Sequence, residues 1–204
     1  FPHAYANTAV SLAAMEWALK GPHENVVTRA TASGVALVEA FDLLRNGRTE
    51  VIAVCGADAL SGVALNVRTA AGDPAPIGEA AAALVLEHAD TAKARDARPL
   101  GQLLGCGLAP TADEALQAAL TQAGQTPDTL HAVYVNTAAR DAAARLLPGL
   151  SIEEPALLCG DVQGATSALY LVLALLARPA KPVLVLTAEP GACVALIASC
   201  ANTL

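Results

Sequence analysis

One arrangement of small and apolar residues occurs twice in this chain, and it restricts the fold more than any other feature. A small-residue elbow, Ala30-Thr31-Ala32-Ser33-Gly34, leads into the mostly apolar residues 35–46. Gly47 follows where a helix would stop, and residues 51–55 then form a buried-type strand. The same succession of elbow, buried helix and strand returns over residues 160–186. The spacing from Gly34 to Val51 is close to that from Gly164 to Val183, and in each half a turn and a further apolar strand follow. Two copies of one βαβ-like unit imply pseudo-twofold halves whose buried helices lie back to back. The first elbow is preceded by the β-favouring pair Val26-Val27, and strand–elbow–helix is how several folds aim one side chain at a cavity from a helix N-terminus. Here the tip of the elbow is Ala30 or Thr31.

The chain has 204 residues, enough to bury a full core, and 54% of them are hydrophobic against 3% aromatic. A core of Ala, Val and Leu lets helices and sheets approach closely, which suits a layered α/β architecture. The formal charge is −7, from 19 acidic and 12 basic residues, with no basic patch, so nucleic acid is not an expected partner. Cys55, Cys106, Cys159, Cys193 and Cys200 show neither CxxC nor Cys/His spacing, and most sit in or beside apolar runs. They are expected as reduced, buried thiols in a cytoplasmic protein, with no metal site. No signal peptide is recognisable, and the uncharged run at residues 162–177 is too short for a membrane span. Residue 1 is Phe rather than Met, and the chain is read as a fragment, a processed product or a chain whose beginning is unseen.

Taken in order, residues 1–7 are turn-like, and Thr8 is placed to cap a helix over residues 9–20 with Leu12, Met15, Trp17 and Leu19 as its bulky positions. Gly21-Pro22 ends it. Residues 56–76 are polar, broken by glycine and proline, and read as a connection. Residues 80–87 and 100–108 are strand-like. Thr111 with Glu114 resembles a capping box for a helix over residues 111–123, whose apolar face is Ala115, Leu116, Ala119 and Leu120. Residues 130–136 form a strand with Val133 and Val135 on one face, and residues 140–147 a short helix stopped by Pro148-Gly149. Residues 165–177 carry no charge, so a helix there must be buried on every side. Strands at residues 183–186 and 194–198 close the chain around Pro190-Gly191.

On four stretches the chain resembles the β-ketoacyl synthases of the thiolase fold. Gly21-Pro22 followed by Ala30-Thr31-Ala32-Ser33-Gly34 is similar to the GP…TACxSG nucleophile elbow. Gly78-Glu79 with Ala83-Leu84-Val85-Leu86-Glu87 is similar to the GEGAGxLVLE strand. Tyr134-Val135-Asn136 resembles the strand before the HGTGT motif, and residues 160–168 (GDVQGATSA) resemble GHLxGAAGA. The resemblance implies a layered α/β/α/β/α fold with two pseudo-duplicated halves, residues 1–108 and 109–204, packed as one compact unit with the first half truncated.

The family's chemistry uses a cysteine as acyl acceptor, activated at a helix N-terminus, and two histidines that stabilise developing negative charge. Carried over residue by residue, the cysteine position falls on Thr31 by the following glycine, or on Ala30 by the spacing from Gly21. The first histidine falls on Ala138 and the second on Asp161, the lysine upstream of the second has no counterpart, and the GFGG flap is reduced to Glu189-Pro190-Gly191. A Thr31 nucleophile would need a base, and Asp161 would repel the charges of a malonyl substrate. The histidines His3, His23, His88 and His131 sit in turns or at element ends. Arg29, beside the elbow where the family has alanine, must reach solvent, Glu24 or a partner chain.

What the resemblance implies is a chain-length-factor-like subunit with no catalytic residue, cofactor or metal of its own. It would form a heterodimer with an active β-ketoacyl synthase in type II polyketide, polyene or fatty-acid-like assembly, and would bound the acyl tunnel. The strand before the elbow, Glu24, Asn25, Val26, Val27 and Thr28, with Arg29, would meet the partner. Acyl carrier protein would be engaged indirectly, through the partner, since a chain of this charge is a poor surface for an acidic carrier. The competing readings are a stand-alone acyltransferase or decarboxylase using Thr31, and an acyl-chain-binding protein.

Overall fold

The computed structural model describes residue 5 and residues 7–72 and 76–201. Along the chain run α1 (Thr8–Glu16), α2 (Ala32–Arg45), β1 (Val51–Asp58), α3 (Gly62–Ala70), β2 (Ala80–Glu87), α4 (Ala89–Ala94), β3 (Gly101–Ala109) and α5 (Ala112–Ala123). There follow β4 (Ala132–Val135), α6 (Arg140–Leu146), β5 (Ser151–Glu153), α7 (Ala156–Cys159), α8 (Thr166–Leu176), β6 (Val183–Glu189) and β7 (Ala192–Cys200). The strands form a two-stranded antiparallel sheet, β1-β2, and a five-stranded mixed sheet in the order β3-β7-β6-β4-β5.

Helices α2 and α8 pack against each other between the two sheets. Their contact is close because the facing residues are small. The Ser33 hydroxyl accepts from the Ala168 amide at 3.1 Å, and Gly34 lies against Ser167. The Ser167 hydroxyl in turn meets that of Thr187 on β6 at 2.8 Å, so the buried polar groups of the crossing satisfy one another. The expected recurrence is present as matched units: α2, β1 and antiparallel β2, then α8, β6 and antiparallel β7.

The strands β6 and β7 are continuous apolar runs because both faces are covered. Val185, Val194, Leu196 and Ala198 face the central helices, whereas Leu184, Leu186, Ala195 and Ile197 face the outer core with α5 and α6. β1 and β2 are covered on one face only. Ile52, Val54, Ala82, Leu84 and Leu86 turn toward the helices, while Val51 and Val85 lie on the other face, exposed.

Thr111 caps α5, the Glu114 amide donating to Thr111 Oγ1 at 3.3 Å, and the Glu114 carboxylate accepts from the Thr111 hydroxyl at 2.8 Å, so the cap forms but its reciprocal bond goes to the hydroxyl. Four expectations change. α1 ends at Glu16 with Asn7 rather than Thr8 at its cap, and buries none of its residues, so Leu12, Met15, Trp17 and Leu19 are exposed. The stretch read as a connection extends β1 to Asp58 and contains α3, whose cap is the Ser61 hydroxyl accepting from the Ala64 amide. That Ser-Gly start was obscured by the glycines around it. α8 is not buried on every side: Leu173 and Leu176 are exposed, because the sheet above it is only two strands wide. Cys55 points to the open face of β1 and is exposed, unlike Cys106 and Cys193. His3 lies outside the described residues.

Candidate functional site

The elbow folds from its own small residues. The Ala32 amide closes a turn on the Arg29 carbonyl at 3.2 Å, and the Val35 amide donates to the Thr31 carbonyl at 2.8 Å as α2 begins. Thr31 is fully buried, and its hydroxyl lies 3.3 Å from that of Thr28. Ala30 is half-buried. The start of a helix leaves amide donors unsatisfied and carries positive potential, yet the first turn of α2 holds no acidic residue and no side-chain cap. The acid comes from the far end of the chain. Glu189 Oε2 accepts from the Arg29 amide at 3.0 Å and the Thr31 amide at 3.3 Å.

Three features hold Glu189 there. It is the last residue of β6, paired with Ala192 across the two-residue turn Pro190-Gly191. Gly191 has φ +80, so proline followed by a left-handed glycine matches a type II turn. The preceding residue, Ala188, is gripped by Asn136, whose amide donates to the Ala188 carbonyl at 2.8 Å and whose carbonyl accepts from the Ala188 amide at 3.0 Å. Strand alternation puts Glu189 on the same face as Thr187, which touches α8.

The other two positions lie apart from the elbow's hydrogen bonds. Ala138 is exposed, in a turn of 3-10 helix after β4. Asp161 is tied on every side. Its backbone bridges to the strand before β2, its amide donating to the Pro76 carbonyl at 2.8 Å and its carbonyl accepting from Gly78 at 3.0 Å. Its carboxylate accepts from Arg68 Nη1 at 2.8 Å and from the Gln163 amide at 3.0 Å. Asp58 holds the same loop by accepting from the Gly164 amide at 3.2 Å. Sequence reasoning missed Arg68 and Asp58, both in the stretch read as a connection. It saw Glu189 only as part of a shortened flap, although an acid ending a buried apolar strand was itself a signal.

Chemically the site is quiet. Ala30 and Ala138 offer methyl groups, the Asp161 charge is matched by Arg68, and the one described side-chain partner of the Thr31 hydroxyl is another hydroxyl. Of the five thiols, Cys55 is exposed on the open face of β1 and the other four are shifted by burial. Burial, helped by the Asp42 charge, pushes Cys106 up to about 12, and burial also raises Cys159, Cys193 and Cys200, so all four favour the protonated, unreactive form.

The segment before the elbow is extended and exposed, Val27 at 70%. It pairs with no strand among the described residues. A shallow hollow lined by Val10, His23, Glu24, Asn25 and Val27 separates it from the start of α1. Arg29 reaches solvent. Glu24 instead meets Glu39 of α2. Burial first, then the hydrogen bond and charge of Glu24, hold the Glu39 carboxyl above its ordinary value. The folded chain therefore binds more protons than the unfolded chain just above that ordinary value, and stability falls as pH rises through this window. We expect Glu39→Gln to raise the urea midpoint at about pH 7, with the two proteins converging near about pH 4. Parallel midpoint–pH curves would contradict the Glu24–Glu39 contact.

No protein-family model and no curated protein matches the sequence. Solved structures do. A β-ketoacyl synthase from Burkholderia phymatum superposes with a TM-score of 0.84 at 23% identity, over 98% of this chain and 66% of that one. A chain of the ishigamide ketosynthase/chain length factor gives 0.84 at 24% identity, over 98% and 63%. The ketosynthase complex of a type II polyketide acyl carrier protein gives 0.84 at 16% identity, over 98% and 68%. This chain has the β-ketoacyl synthase fold. It spans about two thirds of the length of the first two solved chains it matches. On that thiolase-like fold, the elbow leads directly into α2, with no strand before it among the described residues. No helix among the described residues is long and apolar enough to cross a membrane.

Proposed function

We propose that this chain is a non-catalytic, chain-length-factor-like subunit. It pairs in the cytoplasm with an active β-ketoacyl synthase of a type II polyketide, polyene or fatty-acid-like assembly. The observation that carries the reading is Thr31. The elbow has its turn, its helix and its small-residue packing, while Thr31, one of the two residues that can stand at its tip, is wholly buried against a second hydroxyl. A hydroxyl becomes an acyl acceptor only with a base in reach, and the positions that would supply one are Ala138, a methyl, and Asp161, held by Arg68. What remains is shape. The ketosynthase/chain length factor among the structural neighbours is the precedent for such a subunit.

In this role the exposed stretch Glu24–Arg29, with Val27 outermost, lies against the partner's equivalent edge, completing a ladder that the single chain leaves open. The subunit helps bound the partner's acyl tunnel, so growth stops when the volume is filled. Acyl carrier protein docks on the partner, whose surface supplies the basic patch that a chain of net charge −7 lacks. Co-expression with any β-ketoacyl synthase encoded beside it tests this. The expected result is a complex of equal stoichiometry, weakened by Val27→Asp. Recovery of the chain as a stable homodimer that ignores the synthase, or turnover of malonyl thioesters by the chain alone, would sink the reading.

A further inference from the structure

We infer that Glu189 is an internal stopper: a carboxylate built into the fold that occupies the elbow amides and keeps external carboxylates and acyl oxyanions off them. The inference rests on reading the elbow as an emptied acyl site, and it adds what closes that site. Amides of Arg29 and Thr31 converge on one oxygen, Oε2, at 3.0 and 3.3 Å. Two donors aimed at one point beside a helix N-terminus are what an oxyanion would use. A carboxylate is the strongest acceptor a protein can place there without a ligand.

The contact also has the rigidity an internal occupant needs. A ligand must lose translational freedom to bind, whereas Glu189 is already held by covalent connection, by the Pro190-Gly191 turn and by both Asn136 hydrogen bonds to Ala188. Its effective concentration at the amides therefore exceeds any plausible concentration of free acyl carboxylate. The flap that a glycine-rich sequence would leave free to swing is here a two-residue hairpin, and the acid stands at its corner. Because the bonds link β6 to the elbow just before α2, across 158 positions of sequence from Thr31, the stopper also ties the two halves together at the elbow.

The test uses the full chain, its partner included where the two co-purify, with octanoate as the probe and the backbone amides of Arg29 and Thr31 as the readout. In the wild type, octanoate leaves both amide resonances unmoved. In Glu189→Ala it shifts them saturably, with shifts confined to the elbow, and amide hydrogen exchange at Thr31 accelerates about tenfold or more. Glu189→Gln keeps the side chain's shape and a neutral acceptor, so it stays closed to octanoate while exchange at Thr31 rises by a smaller factor. Should Glu189→Ala fail to fold, the Glu189→Gln exchange rate decides: unchanged protection overturns the stopper. So does octanoate binding at the elbow of the wild type, or an elbow in Glu189→Ala that ignores the probe. A chain that co-purifies with no synthase yet shows these shifts would remove the proposed partnership and leave the stopper standing.

Discussion

Gly107→Val should yield no soluble folded protein, and Gly107→Ala should cost at least about 3 kcal/mol. Gly107 lies in β3, paired with Ala195 of β7, and α5 crosses directly over it. A methyl group there would collide with the Ala115 carbonyl oxygen and sit 3.1 Å from the Ala119 amide nitrogen. Both are backbone atoms of a helix, so no rotamer change relieves the clash, and α5 must lift off the sheet. That would unseat Ala115, Leu116, Ala119 and Leu120 from the outer core. Domains of this size hold only about 5–15 kcal/mol in total, so valine exceeds what the fold can absorb. Urea unfolding measures the alanine variant. Gly62→Ala, at the open start of α3 with nothing within 4 Å, serves as the control and should be neutral or stabilising by up to about 1 kcal/mol. A wild-type midpoint for Gly107→Ala would mean that α5 does not rest on β3.

In the heterodimer proposed above, Thr31→Ala should leave the condensation rate within about twofold of wild type, while replacing the proposed partner's acyl-accepting cysteine by alanine should abolish it, by at least about 10³-fold. The asymmetry follows from what surrounds the two positions. Thr31 is buried, its elbow amides already donate to Glu189, and no described imidazole or free carboxylate reaches its hydroxyl. Removing that hydroxyl costs one hydrogen bond to Thr28, about 1 kcal/mol of stability, and no chemistry. Rates with malonyl and acyl thioesters, alongside mass spectrometry of each subunit for covalent acylation, give the answer. An acyl adduct on Thr31, or a rate that collapses in Thr31→Ala, would return the chain to the enzymes.

Much of the fold was legible because it depends on local composition. The capping box at Thr111 and Glu114, the alternation of Val133 and Val135 and the apolar runs of β6 and β7 each announce an element. Periodicity within a segment depends on which layer it faces. The misreadings share a cause. α3 was hidden in a glycine- and proline-broken stretch, although Ser61 caps it in the ordinary way. The bulky residues of α1 looked like a core face but stay exposed among the described residues, since periodicity reports that a face is apolar and not what covers it. Of the site, the degenerate positions Ala30, Thr31, Ala138 and Asp161 came from motif spacing alone. Their partners Glu189 and Arg68 could not, because both bonds join residues more than ninety positions apart.

The order of residues alone makes this chain a layered α/β protein of two related halves with an elbow that carries no cysteine. Both follow from which residues are small, apolar or absent, and those are properties of a chain read one segment at a time. How the elbow is closed, and why β3 must carry glycine, depends instead on contacts between distant segments. A hydrogen bond between residues 31 and 189, or a helix backbone lying against Gly107, exists only after the layers have come together, when distance in space no longer follows distance along the chain.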